Sequence, residues 1–228
     1  MPGPRNSNWV DAFRDLGVNE AFYLAPLDNL DSILTNGVLP QTEVNRRGLA
    51  HSDISLHTVQ ERRDHRDLRS GGISSHGLHD FVPLYFARRT PMSFRRRNHN
   101  SDLCILVIDI AKACHTAEEL LFSDGNAASH DSKIYPNPAE LEEHLPLQVI
   151  TAGSWTFRPD GQRLPDGRRQ RHAELLVRPT VPPRAIGLIQ VVNTPNQERV
   201  KAAIRRARVN QPVDWICECT VSPWAFFT

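Results

Sequence analysis

Few cysteines, no long apolar run and almost no net charge characterise this 228-residue sequence. The spacing of the cysteines does not form the two pairs of a zinc site, so we expect no bound metal. We expect free, buried thiols, as in a protein of a reducing compartment, at Cys104, Cys114, Cys217 and Cys219. Residues 1–8 lack the apolar core of a signal peptide, and no apolar run approaches the ~20 residues needed to cross a bilayer. We therefore expect a soluble, cytoplasmic protein with no membrane contact.

The charge balance limits the kinds of partner. With 27 basic and 26 acidic residues the net charge is +1, which argues against histone-like bulk binding of nucleic acid but permits a local basic groove. The length and the hydrophobic content of 39% suit one globular domain over residues 1–228, with residues 1–8 flexible.

Several familiar active-site motifs are missing. No Gly-x-Gly-x-x-Gly follows a strand and no P-loop is present, so a dinucleotide, if bound, is not bound in the Rossmann manner. The sequence also lacks a serine-hydrolase elbow and a His-Glu-x-x-His helix, which excludes the commonest hydrolase and zinc-protease arrangements.

Hydrophobic periodicity and capping residues predict a mixed α+β fold rather than a regular alternation of strands and helices. Helices are predicted at 9–16, 27–36, 136–145 and 196–208, and strands at 21–25, 81–86, 103–110, 173–177, 186–192 and 213–217. Two polar segments interrupt this pattern. Residues 45–77 contain four histidines and predict a functional loop with a helix inside it, or disorder. Residues 151–171 are rich in Gly, Pro, Asp and Arg and predict a loop.

One carboxylate stands at the start of an apolar strand. Glu174 follows a basic loop and opens the run Glu174-Leu175-Leu176-Val177, where an acidic residue is unusual and therefore an active-site candidate. The alternative is a strand-edge charge paired with a nearby arginine.

Three further clusters could carry chemistry. The arginines of Gln60–Asp67 could grip a pyrophosphate, or they could form a solvated helix face with i,i+4 ion pairs. His79-Asp80 could be a catalytic dyad or a turn. His130 follows the turn residues Asp124-Gly125-Asn126 and is by itself a weak signal.

Taken in order, these blocks resemble the DarT family of DNA ADP-ribosyltransferase toxins. The resemblance spans roughly residue 22 to the C-terminus. It rests on Leu27-Asp28-Asn29-Leu30 with Ile33-Leu34 and Gly37, Gln60-Glu61-Arg62-Arg63, His79-Asp80-Phe81-Val82-Pro83-Leu84-Tyr85-Phe86, Arg89-Thr90-Pro91-Met92, Ser129-His130 and Ala173-Glu174-Leu175-Leu176-Val177.

The resemblance implies an ADP-ribosyltransferase-type fold with split central β-sheets flanked by helices and NAD+ as co-substrate in the cleft. It implies that Glu174 is the catalytic carboxylate, that Arg62 or Arg63 contacts NAD+, and that His130 belongs to the site. Residues 45–77 would contact NAD+, and further contacts would come from Tyr23, Leu24, Asn29 and Tyr85. One departure concerns the first strand, where the family often has histidines and this chain has Phe22-Tyr23-Leu24-Ala25-Pro26.

The resemblance further implies that a base in single-stranded DNA receives the ADP-ribose and that 151–171 is the recognition loop. In that loop Trp155 could stack on a base or pin the loop to the core, and the arginines that could follow the backbone are Arg158, Arg163, Arg168, Arg169 and Arg171. An antitoxin such as a macrodomain ADP-ribosylglycohydrolase is the expected partner. The alternatives are an RNA or protein acceptor, or a non-catalytic domain that binds NAD or nucleic acid.

Overall fold

The computed structural model of this chain describes residues 6–54, 57–158, 160–212 and 215–227. Residues 1–5 of the segment predicted to be flexible lie outside the described residues. Asn6 is held in place, because its side-chain amide donates to the carbonyls of Cys114 (2.8 Å) and Ala117 (3.0 Å). Ser7 then begins the first helix, and the predicted flexibility of residues 1–8 stays a prediction.

Ten α-helices and eight β-strands are present within the described residues. The helices are α1 Ser7–Asp15, α2 Leu30–Asn36, α3 Gln41–Arg47, α4 His57–His65, α5 Pro91–Arg95, α6 Ile110–Thr116, α7 Leu141–His144, α8 Leu147–Ile150, α9 Gly167–Gln170 and α10 Thr194–Ala207. The strands are β1 Glu20–Pro26, β2 Val82–Tyr85, β3 Leu103–Asp109, β4 Glu119–Ser123, β5 Ile134–Tyr135, β6 Glu174–Arg178, β7 Ile186–Val191 and β8 Glu218–Val221.

All eight strands join one mostly antiparallel sheet in the order β5-β4-β6-β2-β1-β3-β7-β8. The predicted α+β class is confirmed. The two halves of the sheet meet where β1 lies beside β2, and their described register is the single pair Phe22 opposite Tyr85. One more step would place Leu24 opposite Pro83, which has no N–H to donate. The pairing of β1 with β2 is therefore short, but the strands form one continuous sheet rather than the predicted split sheets.

The central strand β3 is covered on both faces, which explains its continuous apolar sequence. Cys104, Leu106 and Ile108 pack into the main core with helices α1, α2, α6 and α10. The alternate residues Ile105 and Val107 pack on the opposite face against the C-terminal Phe226. The sheet therefore has a helical layer on one side, while the C-terminal segment covers part of the other.

Most predicted elements are found within a few residues of their expected bounds, but the last strand is misplaced. Residues 213–214 of the predicted strand lie outside the described residues, and Trp215 to Cys217 form no strand. Trp215 is buried instead, and its indole N–H donates to the Pro183 carbonyl at 3.0 Å. The strand that does form is β8, which pairs in parallel with β7.

Gly37 ends helix α2 as its position just past the apolar stripe predicts. Its φ is +84°, and a Cβ there would lie 2.3 Å from the Val181 carbonyl oxygen.

In the part of the chain that the structure describes, no helix combines the length and apolar character required to traverse a bilayer. The expected single domain over residues 1–228 stays a prediction.

Candidate active site

A cavity of about 640 Å³ lies where β1 and β2 diverge. This volume is in the range of small-molecule and cofactor sites, ~300–1,000 Å³. The strands contribute Tyr23 and Leu24 from β1, Pro83 and Tyr85 from β2, and Glu174 from β6. Three strands of the sheet thus contribute side chains to one cavity.

Glu174 lies at the base of this cavity and is 2% exposed. Its own N–H donates to the Ser123 hydroxyl at 3.2 Å, which fixes the start of β6 against the end of β4. Burial raises the pKa of Glu174 from 4.5 to about 7, while the positive charge of Arg63 and the Ala127 N–H act to lower that pKa. Near neutral pH this carboxyl can therefore both hold and release a proton.

The two arginines of helix α4 have different positions. Arg63 is buried, donates to the Leu78 carbonyl at 2.7 Å and has Nη1 3.8 Å from Glu174 Oε2. That separation is an ion pair but exceeds hydrogen-bond length, and within the described residues Glu174 Oε2 has no hydrogen-bond partner. Arg62 is exposed and also lines the cavity. Glu174 thus has a buried carboxylate oxygen with an ion-pair partner but no hydrogen bond, and it lines a cavity that also has the exposed guanidinium of Arg62.

The side of the cavity next to Glu174 is formed by Tyr85, His172 and Met92. Tyr85 is directly opposite Glu174 in the β2–β6 register, and its hydroxyl lies 3.4 Å from the Met92 sulfur. Burial raises the pKa of Tyr85, so this phenol stays protonated at physiological pH. Burial lowers the pKa of His172 to about 4, so its ring is neutral there. The titrating carboxyl of Glu174 thus has a neutral phenol and a neutral imidazole nearby, together with the positive charge of Arg63.

The segment 49–54 forms another wall of the cavity. Asn29 anchors this wall, since its side-chain amide donates to the Ser52 carbonyl and its side-chain oxygen accepts from the Ser52 N–H, both at 2.8 Å. Arg96 donates to the Ile54 carbonyl at 2.6 Å from the opposite side. Asn29 was predicted to contact NAD+. It lines the cavity, and its amide also positions the neighbouring wall.

The family model described as "ssDNA thymidine ADP-ribosyltransferase, DarT" matches residues 22–217. The chain belongs to the DarT family. The resemblance drawn from the sequence is therefore confirmed, and with it the assignment to a family of ADP-ribosyltransferases.

Two similar relatives illustrate the breadth of the DarT family. A DNA ADP-ribosyl transferase of Thermus sp. (strain 2.9) is 27% identical over 212 residues, covering 85% of this chain and 94% of the relative. A DNA ADP-ribosyl transferase–DNA ADP-ribosyl glycohydrolase fusion protein of Thermosipho africanus is 28% identical over 195 residues and 83% of this chain. This chain spans only 47% of the fusion protein.

Solved DarT structures have the same fold. Thermus sp. 2.9 DarT in complex with ADP-ribosylated ssDNA superposes with a TM-score of 0.74 at 21% identity, over 92% of this chain and 97% of that one. Thermosipho africanus DarTG in complex with ADP-ribose gives a TM-score of 0.72 at 26% identity, over 92% of this chain and 51% of that one. The mixed fold with one large, mostly antiparallel sheet is thus the DarT fold.

The predicted NAD+ contacts come together in this DarT fold, whereas the predicted DNA contacts do so only in part. The cavity is lined by Tyr23, Leu24, Asn29, Arg62, Arg63, Tyr85 and Glu174, which include residues of the 45–77 segment. Of the recognition loop, Arg168 and Arg169 reach the cavity, but Nη1 of Arg169 pairs with Asp124 at 2.7 Å and its Nη2 with Asp166 at 2.5 Å. Arg158 and Arg163 are exposed and lie outside it.

Three predicted residues are in unexpected positions. Arg171 is 6% exposed and donates to the carbonyls of Arg89 (2.7 Å) and Ala152 (2.7 Å), so its guanidinium holds the loop and is not available to a DNA phosphate. His130 is exposed and does not line the cavity, although Ser129 beside it does. Trp155 packs against Phe227 at 5.5 Å between centroids, which agrees with the alternative in which it pins the loop.

The sequence reading also missed residues that reach the cavity. His172 comes two residues before Glu174, a spacing that places both side chains on one side of an extended chain, and this was the available signal. Arg95 and Arg96 line the cavity from α5 and its C-cap, in an arginine-rich stretch that was not singled out. For His79-Asp80 the structure agrees with the turn alternative, since the Asp80 carboxylate accepts the Gly77 N–H at 2.9 Å.

Proposed function

We propose that this chain is an NAD+-dependent ADP-ribosyltransferase that modifies a base in single-stranded DNA, with Glu174 as its catalytic carboxylate. The observation that carries the proposal is the position of Glu174. Its buried Oε2 has no hydrogen-bond partner among the described residues and lies at the base of the DarT cavity. Burial makes this carboxylate costly to ionise, Arg63 offsets part of that cost, and a further positive charge that develops nearby would stabilise the ionised form more.

Transfer begins with cleavage of the bond between nicotinamide and ribose, which builds positive charge on the ribose as in glycoside hydrolysis. The Glu174 carboxylate faces that charge in a site shielded from water, where the attraction is stronger than in solution. The bonding electrons leave with nicotinamide, and a base nitrogen of the DNA then forms the new bond to ribose. Glu174 accepts the proton that this nitrogen loses.

The arginines are assigned separate roles in this reaction. Arg62 has an exposed guanidinium at the cavity and is suited to hold the pyrophosphate of NAD+. Arg63 is buried beside Glu174, keeps part of the carboxyl ionised and positions it. Tyr23, Leu24 and Tyr85 complete the NAD+ site, while His130 is retained only as a residue near its rim.

Thymidine is the acceptor that we propose, because the family model names ssDNA thymidine. A single strand exposes its bases without the cost of extracting one from a duplex. The recognition loop 151–171 would meet the strand through the arginines that remain exposed, Arg158, Arg163 and Arg168, while Trp155 and Arg169 hold the loop in place.

We also propose a toxin role in the cytoplasm, where DNA and NAD+ are available. The partner would be an antitoxin, a macrodomain ADP-ribosylglycohydrolase, since the Thermosipho relative is named as a fusion of transferase and glycohydrolase. Production of the protein in a bacterial host should arrest growth, and co-production of the hydrolase should restore growth. Growth arrest that persists with Glu174→Gln would contradict this role.

The acceptor experiment uses NAD+ labelled on the adenylate. Matched single-stranded DNA, duplex DNA, RNA and protein are each incubated with the enzyme, together with a DNA strand in which thymidine is replaced by deoxycytidine. Label is expected on the thymidine-containing single strand and on none of the other acceptors. Label on protein or RNA, with none on DNA, would refute the proposed acceptor class.

A further inference from the structure

A basic segment connects the cavity to the outer surface of the molecule. Five of the ten residues at 88–97 are arginine and none is acidic. The segment begins three residues after Tyr85 and includes helix α5, whose Met92 and Arg95 line the cavity. A strand of nucleic acid that leaves the cavity on this side would meet positive charge at once.

Aromatic rings lie next to this basic segment. Phe94, Trp155 and Phe227 contact one another edge to face, with centroid distances of 6.2, 5.2 and 5.5 Å. Phe94 is nevertheless 41% exposed, on the same short helix as the cavity-lining side chains. The three rings join α5, the recognition loop and the C-terminal segment into one packed unit.

Three arginine side chains stack on four rings here, and one of them is Arg89, which lies 4.1 Å from the centroid of the Phe227 ring. Arg88 lies between Phe22 and Trp224, at 4.5 and 4.8 Å from the ring centroids, and it also meets Glu20 at 3.5 Å. Arg97 lies 4.3 Å above the Phe94 ring. Trp224 is 61% exposed despite its contact with Arg88. We call the set Arg88, Phe94, Arg97 and Trp224 the aromatic–arginine surface.

We propose that the aromatic–arginine surface binds the nucleotides that flank the target base in the single strand. One flanking base stacks on Trp224, and the guanidinium groups of Arg88 and Arg97 meet the phosphates. Exposed rings beside arginines are the combination by which proteins hold single strands, since every base has a face that can stack. The inference rests on the proposed function and adds a second contact area outside the cavity.

The test compares two oligonucleotides that carry the same target base with the same immediate neighbours. The shorter has about 4 nucleotides and the longer about 16, which brackets the site sizes of single-strand binding folds. Steady-state kcat/KM is measured for both with wild type, Trp224→Ala, Trp224→Tyr and Val209→Ala. Val209 is a matched control because it is 84% exposed and does not line the cavity.

We expect Trp224→Ala to lower kcat/KM for the longer strand about 5- to 150-fold, the range for loss of one stacked base, and to leave the shorter strand unchanged. Trp224→Tyr should restore most of the loss, because a tyrosine ring can also stack. Val209→Ala should match wild type on both strands. With Arg97→Gln, the salt dependence of binding to the longer strand should weaken by about one counterion.

Equal activity of Trp224→Ala and wild type on the longer strand would overturn the inference, as would an equal loss on both strands. Either result with an active wild-type enzyme leaves the proposed function intact. Failure of the wild-type protein to modify any single strand would instead refute the proposed function, and the flanking site with it.

Discussion

Replacement of Glu174 by glutamine should change how the stability of the protein depends on pH. The pKa of this carboxyl is raised from 4.5 to about 7 by burial. The folded state therefore binds the proton more tightly than the unfolded state does. Below the pKa of the unfolded state the carboxyl is protonated in both states and does not reduce the free energy of unfolding. As pH rises from there the free energy of unfolding falls, and the loss is complete above the pKa of the folded state.

The expected cost follows from the difference between these two pKa values. At ~1.4 kcal/mol per unit, a rise from 4.5 to about 7 corresponds to roughly 3 kcal/mol. The side chain is 2% exposed, so solvent screening does not reduce this value substantially. Glutamine cannot ionise, so the free energy of unfolding of Glu174→Gln should lack this loss. Removal of the partner of Arg63 adds an offset to the variant that does not depend on pH.

The assay is urea-induced unfolding, followed by tryptophan fluorescence between about pH 5 and about pH 8. The stability of wild type minus that of Glu174→Gln should fall by ~3 kcal/mol across this range. Glu142→Gln, which changes an exposed carboxyl, should follow wild type throughout. A difference between wild type and Glu174→Gln that stays constant with pH would show that the carboxyl is not desolvated as described.

Three further predictions concern the cavity. Arg62→Ala should raise the KM for NAD+ about 10- to 100-fold with kcat nearly unchanged, as expected for loss of a charged hydrogen bond. Arg63→Met should shift the pH–rate profile to higher pH, because the charge that lowers the pKa of Glu174 is removed. Identical pH–rate profiles for the two variants would contradict their separate roles. Asn29→Ala should raise the KM for NAD+ about 5- to 100-fold, because the wall 49–54 loses its anchor. Asn36→Ala, at the end of helix α2, is the control and should leave this KM unchanged. Equal effects of both variants in NAD+ titrations would argue against the anchoring role. Gly167→Ala should lower activity on DNA and increase proteolysis of the 151–171 loop, because its Cβ would lie 2.0 Å from the Trp155 carbonyl oxygen; unchanged activity and digestion would show that the loop can shift without consequence.

The parts of the fold that depend on local pattern could be predicted from the sequence. The apolar run at 103–110 predicts a buried strand, which is β3, and the position of Gly37 predicts the end of α2. The last strand was misplaced because Trp215 is buried by packing under Pro183, a contact between distant parts of the chain. The α+β class and the order of the motifs depended on none of these tertiary contacts.

The candidate site could be located from the sequence, but the separate roles of its residues could not be predicted. Arg62 and Arg63 are adjacent in the sequence, yet one is exposed at the cavity and the other is buried beside Glu174. Arg171 and Arg168 belong to the same arginine-rich loop, so the sequence predicts the same role for both. The guanidinium of Arg171, however, is bound to main-chain carbonyls. Burial and partners decide such roles, and a charge pattern alone contains neither.

The most direct test of the central claim is mass spectrometry of a single-stranded oligonucleotide with one thymidine after incubation with NAD+. Wild type should add one ADP-ribosyl group to that nucleotide, and Glu174→Gln should add none, although its circular dichroism spectrum and its binding of NAD+ are retained. Full modification by a folded Glu174→Gln variant would contradict the assignment of Glu174 as the catalytic carboxylate.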